Sequence, residues 1–269
     1  MPGDIASPRN PLARRILRLE KDPDARRKEG RFLIWGSRLV EEALEDPARI
    51  ERLVLGEAAS RRPSARSLLR RAKHLQIPQS VLSDPLLERL VPGAGDQGLL
   101  AVVQFSPAPL EDLLRAVTIP LLLVVDRIQD PGNVGTLVRL GEAASVTALV
   151  TVTGTADPRH SRAVRASAGS ILRVPICASP PPGEWKRICR EKAMRTVVTL
   201  SSGGQPLDRA DLRGPLALVV GNEGEGVSEE WKEASDLRVT IDLGGSVASL
   251  NVAAAAAILL YEVFRQRRG

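Results

Sequence analysis

Cysteine and histidine are nearly absent from this chain of 269 residues. Its thiols are Cys177 and Cys189, its imidazoles are His74 and His160, and no CxxC pair occurs. A disulfide framework needs several spaced cysteines, and a zinc site needs a cluster of Cys and His ligands. We therefore expect neither, assign no metal-binding residue, and interpret both thiols as inert core side chains.

Long apolar runs are missing as well. No run approaches the ~20 residues that span a bilayer, and the first residues, MPGDIASPRNPLARR, lack the apolar middle of a secretory signal. We expect a cytoplasmic protein that does not associate with membranes. With 43% apolar residues, the chain is long enough to bury a full core in one large or two modest domains.

Aromatic residues make up only 3% of the chain. The amino-terminal part has Phe32, Trp35 and Phe105, too few for a platform on which single-stranded bases stack. That part is basic, however: residues 1–106 carry 19 Lys or Arg and 14 Asp or Glu, against 19 and 18 in residues 107–269. The imbalance favours an acidic partner, nucleic acid being the commonest. With few aromatics, a folded RNA recognised by shape and phosphates is favoured.

The basic residues of the amino-terminal part form three clusters, for which a solvated helix face is the alternative interpretation. The clusters are Arg14, Arg15 and Arg18; Arg26, Arg27 and Lys28; and Arg61, Arg62, Arg66, Arg70, Arg71 and Lys73. From the third cluster we select as candidate RNA-binding residues Arg62, Arg66 and Arg70.

The pattern of elements breaks at FSPAPL, residues 105–110, where two prolines predict a linker between domains of residues 1–106 and 107–269. In the first domain, strands and helices alternate, which predicts a small α/β/α domain. The predicted helices cover residues 12–19, 37–44, 64–74 and 84–91, and the predicted strands cover residues 32–36, 49–56, 79–83 and 97–105.

After the linker, the predicted strands are continuously apolar, as in a parallel sheet that is buried on both faces. Helical stretches separate these strands, which cover residues 121–126, 148–153, 195–200 and 216–221. We expect a doubly wound α/β domain, in which ligands bind beyond the carboxyl ends of the strands. Function is therefore expected in the loops after Asp126, Thr153, Leu200 and Gly221.

The loop DRIQDPGNVGTLVRLGEA begins at Asp126. Its DPGN turn predicts that a helix opens at Gly135, with Arg139 one turn beyond, and that Asn133 and Arg139 face the strand ends. A cation near the positive end of a helix is locally unfavourable, so Arg139 indicates an anionic partner. The alternative is an ion pair of Arg139 with Glu142 or Asp126.

The loop VVGNEGEGVSEEW carries three glycines between a buried strand and a helix. Bare backbone N–H groups at Gly221, Gly224 and Gly226 can approach a ligand closely. The spacing GxxGxG is not the GxGxxG of dinucleotide folds, and the carboxylates of Glu223 and Glu225 would repel a pyrophosphate. A cationic ligand such as S-adenosylmethionine fits better, and a nucleotide-dependent oxidoreductase is disfavoured.

At the carboxyl end, the strand VTI leads through the turn DLGGSVA to SLNVAAAAAILLYEVFRQRRG. The density of Ala and Leu predicts a helix from Leu250, with Ser249 as its cap and the last three arginines complementing the negative end of its dipole. The small side chains of residues 253–257 predict a buried, tightly packed helix. An ordinary terminal helix docked on a sheet is the alternative.

These segments together carry a resemblance. DRIQDPGNVGTLVR, LVVGNEGEGVS and TIDLGGSVASLNVAAAAAILLYE resemble, in order and spacing, the three signature motifs of the SpoU (TrmH-type) RNA 2′-O-ribose methyltransferases of the SPOUT superfamily, over residues 121–266. AVRASAGSILRVPI is similar to the connecting segment of that family. NPLARRI, GRFLIWGSRLVEEAL and DQGLLAVV resemble the ribosomal-protein-like substrate-binding domain found before many such catalytic domains.

The resemblance implies an α/β catalytic domain with a parallel sheet and a deep carboxyl-terminal trefoil knot, preceded by the small α/β/α RNA-binding domain. It implies a homodimer that transfers a methyl group from S-adenosylmethionine to a ribose 2′-hydroxyl without a metal. Ribosomal RNA is preferred over transfer RNA because a separate first domain resembles that of the ribosomal RNA enzymes. A non-catalytic RNA-binding or ribosome-assembly protein with the same fold is the alternative from another class.

The expected site residues are those at the matching motif positions. The resemblance implies cofactor-binding roles for Leu200, Gly221, Asn222, Gly226, Ile241 and Leu250, and catalytic roles for Asn133, Arg139, Glu223, Ser249 and Asn251. In an in-line displacement, Arg139 would bind the phosphate and stabilise the developing alkoxide, since a guanidinium is a poor base. Asn133 and Ser249 would position the ribose, Glu223 would organise the motif loops, and Asn251 would orient Arg139.

The chain departs from the usual family pattern at four positions. Asp242 and Leu243 stand where Pro-Met is usual, Ala248 stands for Glu or another polar residue, and Ala253 stands where Ser is frequent. An acid at position 242, beside the ligand turn, is the departure expected to alter cofactor affinity.

Overall fold

The computed structural model describes residues 5–94, 98–107 and 109–268. Gln97 of the predicted strand 97–105 and Ala108 of the predicted linker lie outside the described residues. Contacts between Cα atoms divide the chain into two compact units. The first comprises residues 1–106 and 159–164, and the second comprises residues 107–158 and 165–269.

The first unit combines short helices with one mixed sheet. Its helices are α1 (Pro11–Lys21), α2 (Pro23–Glu29), α3 (Ser37–Ala43), α4 (Glu57–Arg61), α5 (Pro63–His74) and α6 (Asp84–Leu90). Its strands are β1 (Arg31–Trp35), β2 (Ile50–Gly56), β3 (Gln79–Leu82) and β4 (Leu99–Gln104). The sheet order is β1-β4-β2-β3, in which β4 is antiparallel to β1 and β2 while β3 is parallel to β2. Apolar side chains of α1 and α6 pack on this sheet.

Two short helices of the first unit were missed by the sequence pattern. α2 begins at Pro23, and the side chain of Asp22 accepts a hydrogen bond from the N–H of Asp24 at 2.8 Å. The helix ends at Glu29 and is capped by Gly30, whose φ is 60°. A cap with proline at the first position and a left-handed glycine after the last turn is a local signal for a short helix. α4 has only five residues, too few to show a helical period.

Arg26 does not lie on a solvated face, contrary to the alternative interpretation of its cluster. The residue is 1% exposed, and its Nη1 donates to the carbonyl oxygens of Leu19 and Glu20 at 2.8 and 2.9 Å. These carbonyls belong to the last turn of α1, where a helix has no internal donors for them. Arg26 therefore caps α1, and burial removes it from the residues available to RNA.

The first basic cluster is largely paired within the unit. Arg15 forms ion pairs with Glu29 and Glu51, and Arg18 pairs with Glu29. The hydrogen bond from Arg15, supported by one from Arg31, lowers the pKa of Glu51 to about 2. Arg15 and Arg18 are consequently engaged in the fold rather than presented as isolated cations.

The second unit contains a sheet in which every pairing is parallel, as the apolar strands predicted. Its strands are β5 (Leu121–Val125), β6 (Ala148–Thr151), β7 (Ile176–Ala178), β8 (Arg195–Leu200), β9 (Gln205–Pro206), β10 (Leu216–Val220) and β11 (Leu237–Thr240). The helices after residue 107 are α7 (Leu110–Arg115), α8 (Pro131–Ala143), α9 (Ser161–Ala166), α10 (Pro182–Glu191), α11 (Glu229–Glu233) and α12 (Val252–Arg268). The strand order is β7-β6-β5-β10-β8-β11-β9.

The centre of this sheet lies at β5 and β10. Both strands are buried at every residue, because elements pack on both faces of a parallel sheet. β6 and β7 continue from β5, whereas β8, β11 and β9 continue from β10. The order of strands therefore reverses between β5 and β10, and in such folds ligands bind beyond the carboxyl ends of the strands at that reversal.

The helix of the first motif begins earlier than predicted. α8 starts at Pro131, and the side chain of Asp130 accepts a hydrogen bond from the N–H of Asn133 at 3.0 Å. Asp as cap followed by proline is a strong start signal, so DPGN is the first turn of the helix. Gly135 is buried inside α8, and Arg139 lies two turns beyond the cap. The expected position of Arg139 at the positive end of the helix was therefore wrong.

The last helix also begins at a different residue. α12 starts at Val252, and the side chain of Asn251 accepts a hydrogen bond from the N–H of Ala253 at 2.9 Å. Asn251 is therefore the cap, and the prediction of Ser249 was wrong, because the chain remains non-helical through residue 251. One side of α12 is buried, including Ala253 and Ala256, but its other side is exposed.

Both cysteines are free and lie in or beside the core. Burial raises the pKa of the Cys177 thiol to about 11 and also raises the pKa of Cys189. Little reactive thiolate forms at neutral pH under these conditions, in agreement with core side chains that carry no chemistry. Among the described residues, no helix combines the length and the apolar character needed to cross a bilayer.

Candidate active site

A cavity of about 570 Å³ opens beyond the carboxyl ends of β8, β10 and β11, where α12 begins. Its walls come from the segment after β8, the glycine loop after β10 and the turn before α12. All six residues expected to bind the cofactor line it: Leu200, Gly221, Asn222, Gly226, Ile241 and Leu250. Ser201, Ser202 and Lys232 also line the cavity and were not among the predicted residues.

The glycine loop folds back on itself, and its first glycine is required for that shape. A Cβ on Gly221 would lie 2.3 Å from the carbonyl carbon of Gly226 and from the nitrogen of Val227. Asn222 and Gly226 exchange backbone hydrogen bonds of 3.1 and 2.9 Å, and Gly226 has a φ of +71°. These features need glycine at both positions and bring bare backbone to the cavity wall.

Asn222 uses its side chain inside the structure. Its Nδ2 donates to the carbonyl oxygen of Arg127 at 3.0 Å, and its Oδ1 accepts from the N–H groups of Gly224 and Glu225 at 2.8 and 3.1 Å. Asn222 thus joins the turn after β5 to the glycine loop. Its expected part in cofactor binding would be to shape the loop.

Three of the expected catalytic residues form one hydrogen-bonded chain. Asn133 Nδ2 donates to Glu223 Oε1 at 2.5 Å, and Asn251 Nδ2 donates to Asn133 Oδ1 at 3.3 Å. They come from α8, from the glycine loop and from the cap of α12, which are far apart in sequence. Glu223 also lines the cavity, so this polar chain stands at the cavity rim.

Arg139 is exposed on α8, and within the described part of the chain no ion pair or hydrogen bond involves its side chain. The predicted alternative partners are occupied elsewhere: Glu142 pairs with Arg173, and Asp126 accepts from the N–H of Ser228 at 2.7 Å. The alternative ion pair was therefore wrong. Arg139 remains available to an anion from outside the chain.

Charge at the cavity favours a cationic ligand. The charged residues that line it are the acids Glu223 and Glu225 and the base Lys232. Lys232 pairs with Glu229 at 2.6 Å and Glu225 pairs with Arg127 at 3.0 Å, whereas Glu223 is hydrogen-bonded to the neutral amide of Asn133. Among the described residues, no group of three or more His, Cys, Asp or Glu is placed to hold a metal ion.

A sequence model described as the SpoU rRNA Methylase family matches residues 120–261, which contain the whole cavity and the polar chain. The chain belongs to the SpoU rRNA methylase family. A second model, the MRM3-like substrate binding domain, matches residues 10–85. Both matches confirm the resemblance that the motifs carry.

Relatives and solved structures align over most of this SpoU methylase. The 23S rRNA (guanosine(2553)-2′-O)-methyltransferase of Bacillus subtilis is 32% identical over 88% of this chain and 90% of its own length. The 23S rRNA (uridine(2479)-2′-O)-methyltransferase of Streptomyces viridochromogenes is 32% identical over 96% of this chain and 94% of its own. The crystal structure of the SpoU methyltransferase AviRb of that species with AdoMet has a TM-score of 0.83 at 29% identity, covering 96% and 99%.

Asp242, one of the departures from the usual family pattern, lies between two residues of the cavity wall. Asp242 is exposed and is not among the residues that line the cavity, whereas its neighbours Ile241 and Leu243 are. An effect of Asp242 on cofactor affinity stays a prediction. Ala248 and Ser249 both line the cavity.

Sequence reasoning missed one connection of this SpoU site. Arg127 Nη1 donates to Glu225 Oε2 at 3.0 Å, although the two residues lie in different motifs. Arg127 follows the buried Asp126 and has a φ of 55°. Neither the positive φ nor the pairing leaves a mark in the spacing of one sequence, so no pattern was available to find it.

Proposed function

We propose that this protein transfers the methyl group of S-adenosylmethionine to a ribose 2′-hydroxyl of 23S ribosomal RNA. The observation that carries this proposal is the cavity lined by all six expected cofactor residues beside the chain Glu223–Asn133–Asn251. The names of the Bacillus and Streptomyces relatives support the reaction, and the AdoMet complex of AviRb supports the methyl donor.

The cavity suits the methyl donor in charge. Gly221 keeps the loop in its folded-back shape, because a Cβ there would clash with the backbone of Gly226 and Val227, and Glu223 supplies negative charge near a sulfonium and an ammonium group. When bound, S-adenosylmethionine supplies an electrophilic methyl group attached to sulfur. The 2′-oxygen forms the new bond to that carbon while the carbon–sulfur bond breaks, and its electron pair stays on sulfur in S-adenosylhomocysteine.

The residues of α8 would bind and activate the ribose. The hydroxyl must be held about 3 Å from the methyl carbon, in line with the bond that breaks. Asn133 is suited to positioning because Glu223 and Asn251 fix both ends of its amide. Ser249, on the cavity wall, would complete the ribose contacts. Asn251 is already bonded to Asn133 and to the N–H of Ala253, so we assign it to holding Asn133 instead of Arg139.

Arg139 would serve the phosphate beside the reacting ribose. Its exposed guanidinium can neutralise that phosphate and stabilise the alkoxide as it develops. An arginine is not deprotonated in proteins, so the hydroxyl proton would pass to the phosphate or to water. No step of this scheme requires a metal.

Two measurements test the proposed function. Purified protein is incubated with radiolabelled S-adenosylmethionine and with 23S rRNA, 16S rRNA or bulk tRNA, each from cells that lack this gene, and 2′-O-methyl positions are mapped. Incorporation into one 23S nucleotide supports the proposal, whereas incorporation into tRNA supports the transfer RNA alternative. Calorimetry without RNA separates the non-catalytic alternative, because such a protein would not bind millimolar S-adenosylmethionine.

The outer face of α5 is the surface of the first unit that we propose for RNA. Arg62, Arg66 and Arg70 are exposed, and they stand four residues apart at and after the start of α5, on one face. Among the described residues no acid pairs with them, unlike Arg71, which pairs with Glu45.

Charge reversal on this face is expected to weaken RNA binding. We expect Arg62→Glu, Arg66→Glu and Arg70→Glu together to reduce rRNA affinity about tenfold. The plot of log affinity against log salt concentration should also become less steep, by about 2 to 3 in the magnitude of its slope, since each arginine displaces counterions from one phosphate. Filter binding across a salt series measures both. Reversal of Arg9, Lys21 and Lys28, also exposed, makes the same change in net charge. If both triple variants lose affinity equally, α5 has no special part.

The homodimer that the resemblance implies is also our proposal, with α12 as its interface. Ile258, Tyr261 and Phe264 recur along one side of α12 and are 42%, 67% and 41% exposed. A row of large apolar side chains at helical spacing that is left in water is typical of a surface that another chain covers. A second copy would bury the same row on both helices, as a twofold interface does.

A charge in this row is expected to separate the subunits. Tyr261→Asp should convert a dimer of wild-type protein to a monomer, because an unpaired carboxylate is costly to bury. Sedimentation velocity at micromolar concentration measures the change. Tyr261→Phe keeps the apolar ring and should remain dimeric. A Tyr261→Asp variant that sediments like the wild type would move the interface to another surface.

We further propose that the second unit contains the trefoil knot implied by the resemblance. Two features support it. β11 is separated from β10 by β8, yet α12 begins beside α8, where Asn251 reaches Asn133. The segment 241–251 therefore crosses back over the strand ends before the last helix, and buried Ala253 and Ala256 permit close packing there.

A further inference from the structure

We propose that Arg127 is a positioning residue that holds the glycine loop 221–226 in the shape that binds the methyl donor. This inference rests on the proposed function and adds a residue outside the expected site. Arg127 is absent from the residues that line the cofactor cavity. It acts, in our proposal, through Asn222 and Glu225, which do line it.

The backbone of Arg127 is held in an unusual conformation. Its φ of 55° lies in the left-handed region, which glycine and asparagine adopt more readily than arginine. The N–H of Arg127 donates to Thr155 Oγ1 at 3.1 Å, and its carbonyl oxygen accepts from Asn222 Nδ2 at 3.0 Å. Because both backbone groups are engaged, the residue is a fixed point between β5 and the glycine loop.

The side chain of Arg127 makes a second connection to the same loop. Nη1 donates to Glu225 Oε2 at 3.0 Å, and Nε lies 3.4 Å from Oδ1 of the fully buried Asp126. The guanidinium therefore lies between a rigid carboxylate at the end of β5 and a carboxylate near the tip of the loop. Asn222 anchors the start of the loop and Arg127 anchors its tip.

The need to restrain the glycine loop explains why an arginine, and not a glycine, occupies the strained position 127. A loop with glycines at 221, 224 and 226 has many accessible conformations. Ordering such a loop only when the ligand binds reduces the free energy of binding. A loop that is restrained beforehand avoids this loss and binds the ligand more tightly. Removing the guanidinium should therefore weaken cofactor binding.

Two replacements of Arg127 separate its side chain from its backbone. Arg127→Asn and Arg127→Gly both accept a left-handed φ, but only glycine also loosens the turn. We expect either variant to bind S-adenosylmethionine about 3- to 5-fold more weakly by calorimetry, the range that a partly exposed ion pair supports. We expect both thermal midpoints to fall, because the fully buried Asp126 loses the cation beside its carboxylate. Glu225→Ala keeps that cation and should weaken binding at an unchanged thermal midpoint, whereas a residue with only a structural role would lower both quantities together.

Glu225→Ala completes a double-mutant cycle. If the pair acts as proposed, Glu225→Ala weakens binding to a similar degree, and combining it with Arg127→Asn adds nothing further. Additive losses would instead mean that Glu225 contacts the ligand itself, and they would overturn the proposal, as would unchanged affinity in Arg127→Asn. Wild-type protein that binds no S-adenosylmethionine would contradict the proposed function, which separates the two failures.

Discussion

Replacing Arg139 with alanine is expected to reduce methyl transfer about 100-fold or more, the usual cost of removing a group that stabilises developing charge. Arg139 is exposed, unpaired within the described part of the chain and absent from the cavity wall. S-adenosylmethionine affinity should therefore stay at the wild-type value. Single-turnover transfer to rRNA and calorimetry with the donor measure the two quantities separately.

Arg190→Ala is the matched control for this experiment. Arg190 is also an exposed helical arginine of the second unit, on α10, and no hydrogen bond or ion pair of its side chain occurs among the described residues. Its loss should leave transfer unchanged. Wild-type turnover in Arg139→Ala would remove Arg139 from the mechanism. A loss of donor affinity as large as the loss of rate would instead place Arg139 in cofactor binding.

Gly221→Ala is expected to give the second largest effect, on cofactor binding. The added Cβ would lie 2.3 Å from backbone atoms of Gly226 and Val227, which cannot yield as a flexible side chain does. The loop must shift, and forced overpacking of this kind costs about 1–3 kcal/mol. We expect S-adenosylmethionine to bind about 10- to 100-fold more weakly, since each 1.4 kcal/mol is a factor of ten.

Gly224→Ala tests whether the position, and not the loss of any loop glycine, causes that effect. A Cβ on Gly224 meets only Asn222 Oδ1, at 3.5 Å, which is ordinary contact. This variant should bind the donor as the wild type does. Equal losses in both alanine variants would show that the backbone of the loop is generally intolerant, and Gly221 would lose its special role.

Much of the catalytic half was predictable because its signals are local and repeated. Continuous apolar runs predict strands buried on both faces, and β5, β6, β8 and β10 form where those runs stand. The expected site residues also come together: eight of the eleven line one cavity, and Asn133, Glu223 and Asn251 are hydrogen-bonded. Parallel strands end on one side of a sheet, so loops that follow them must meet.

Helix starts were predicted less well. The turn signal DPGN and the serine before the alanine run each suggested a start, but Asp130 and Asn251 make the caps. Several residues near a helix start can serve as caps, and the choice depends on which direction the incoming chain takes. For Asn251, that direction is set by contact with Asn133 on another helix, which no local pattern contains.

Charge was the least predictable property. Arg26 looked like one of many surface cations, yet it is buried as a cap on α1. Arg139 was expected at a helix start, but it lies further along α8 without a partner among the described residues. Which charges pair depends on distances of a few ångströms between separate elements, because Coulomb energies fall off with distance and solvent.

By itself, the sequence determined the family, the parallel sheet and the residues that form the cavity, because these depend on motif order, on apolar runs and on glycine positions along one segment at a time. The tertiary structure decided which side chains are joined: Asn133 with Glu223 and Asn251, and Arg127 with Glu225. It also left Arg139 and the row on α12 exposed. Hydrogen bonds and burial act between elements that are distant in the chain, so only the folded arrangement brings their partners within reach.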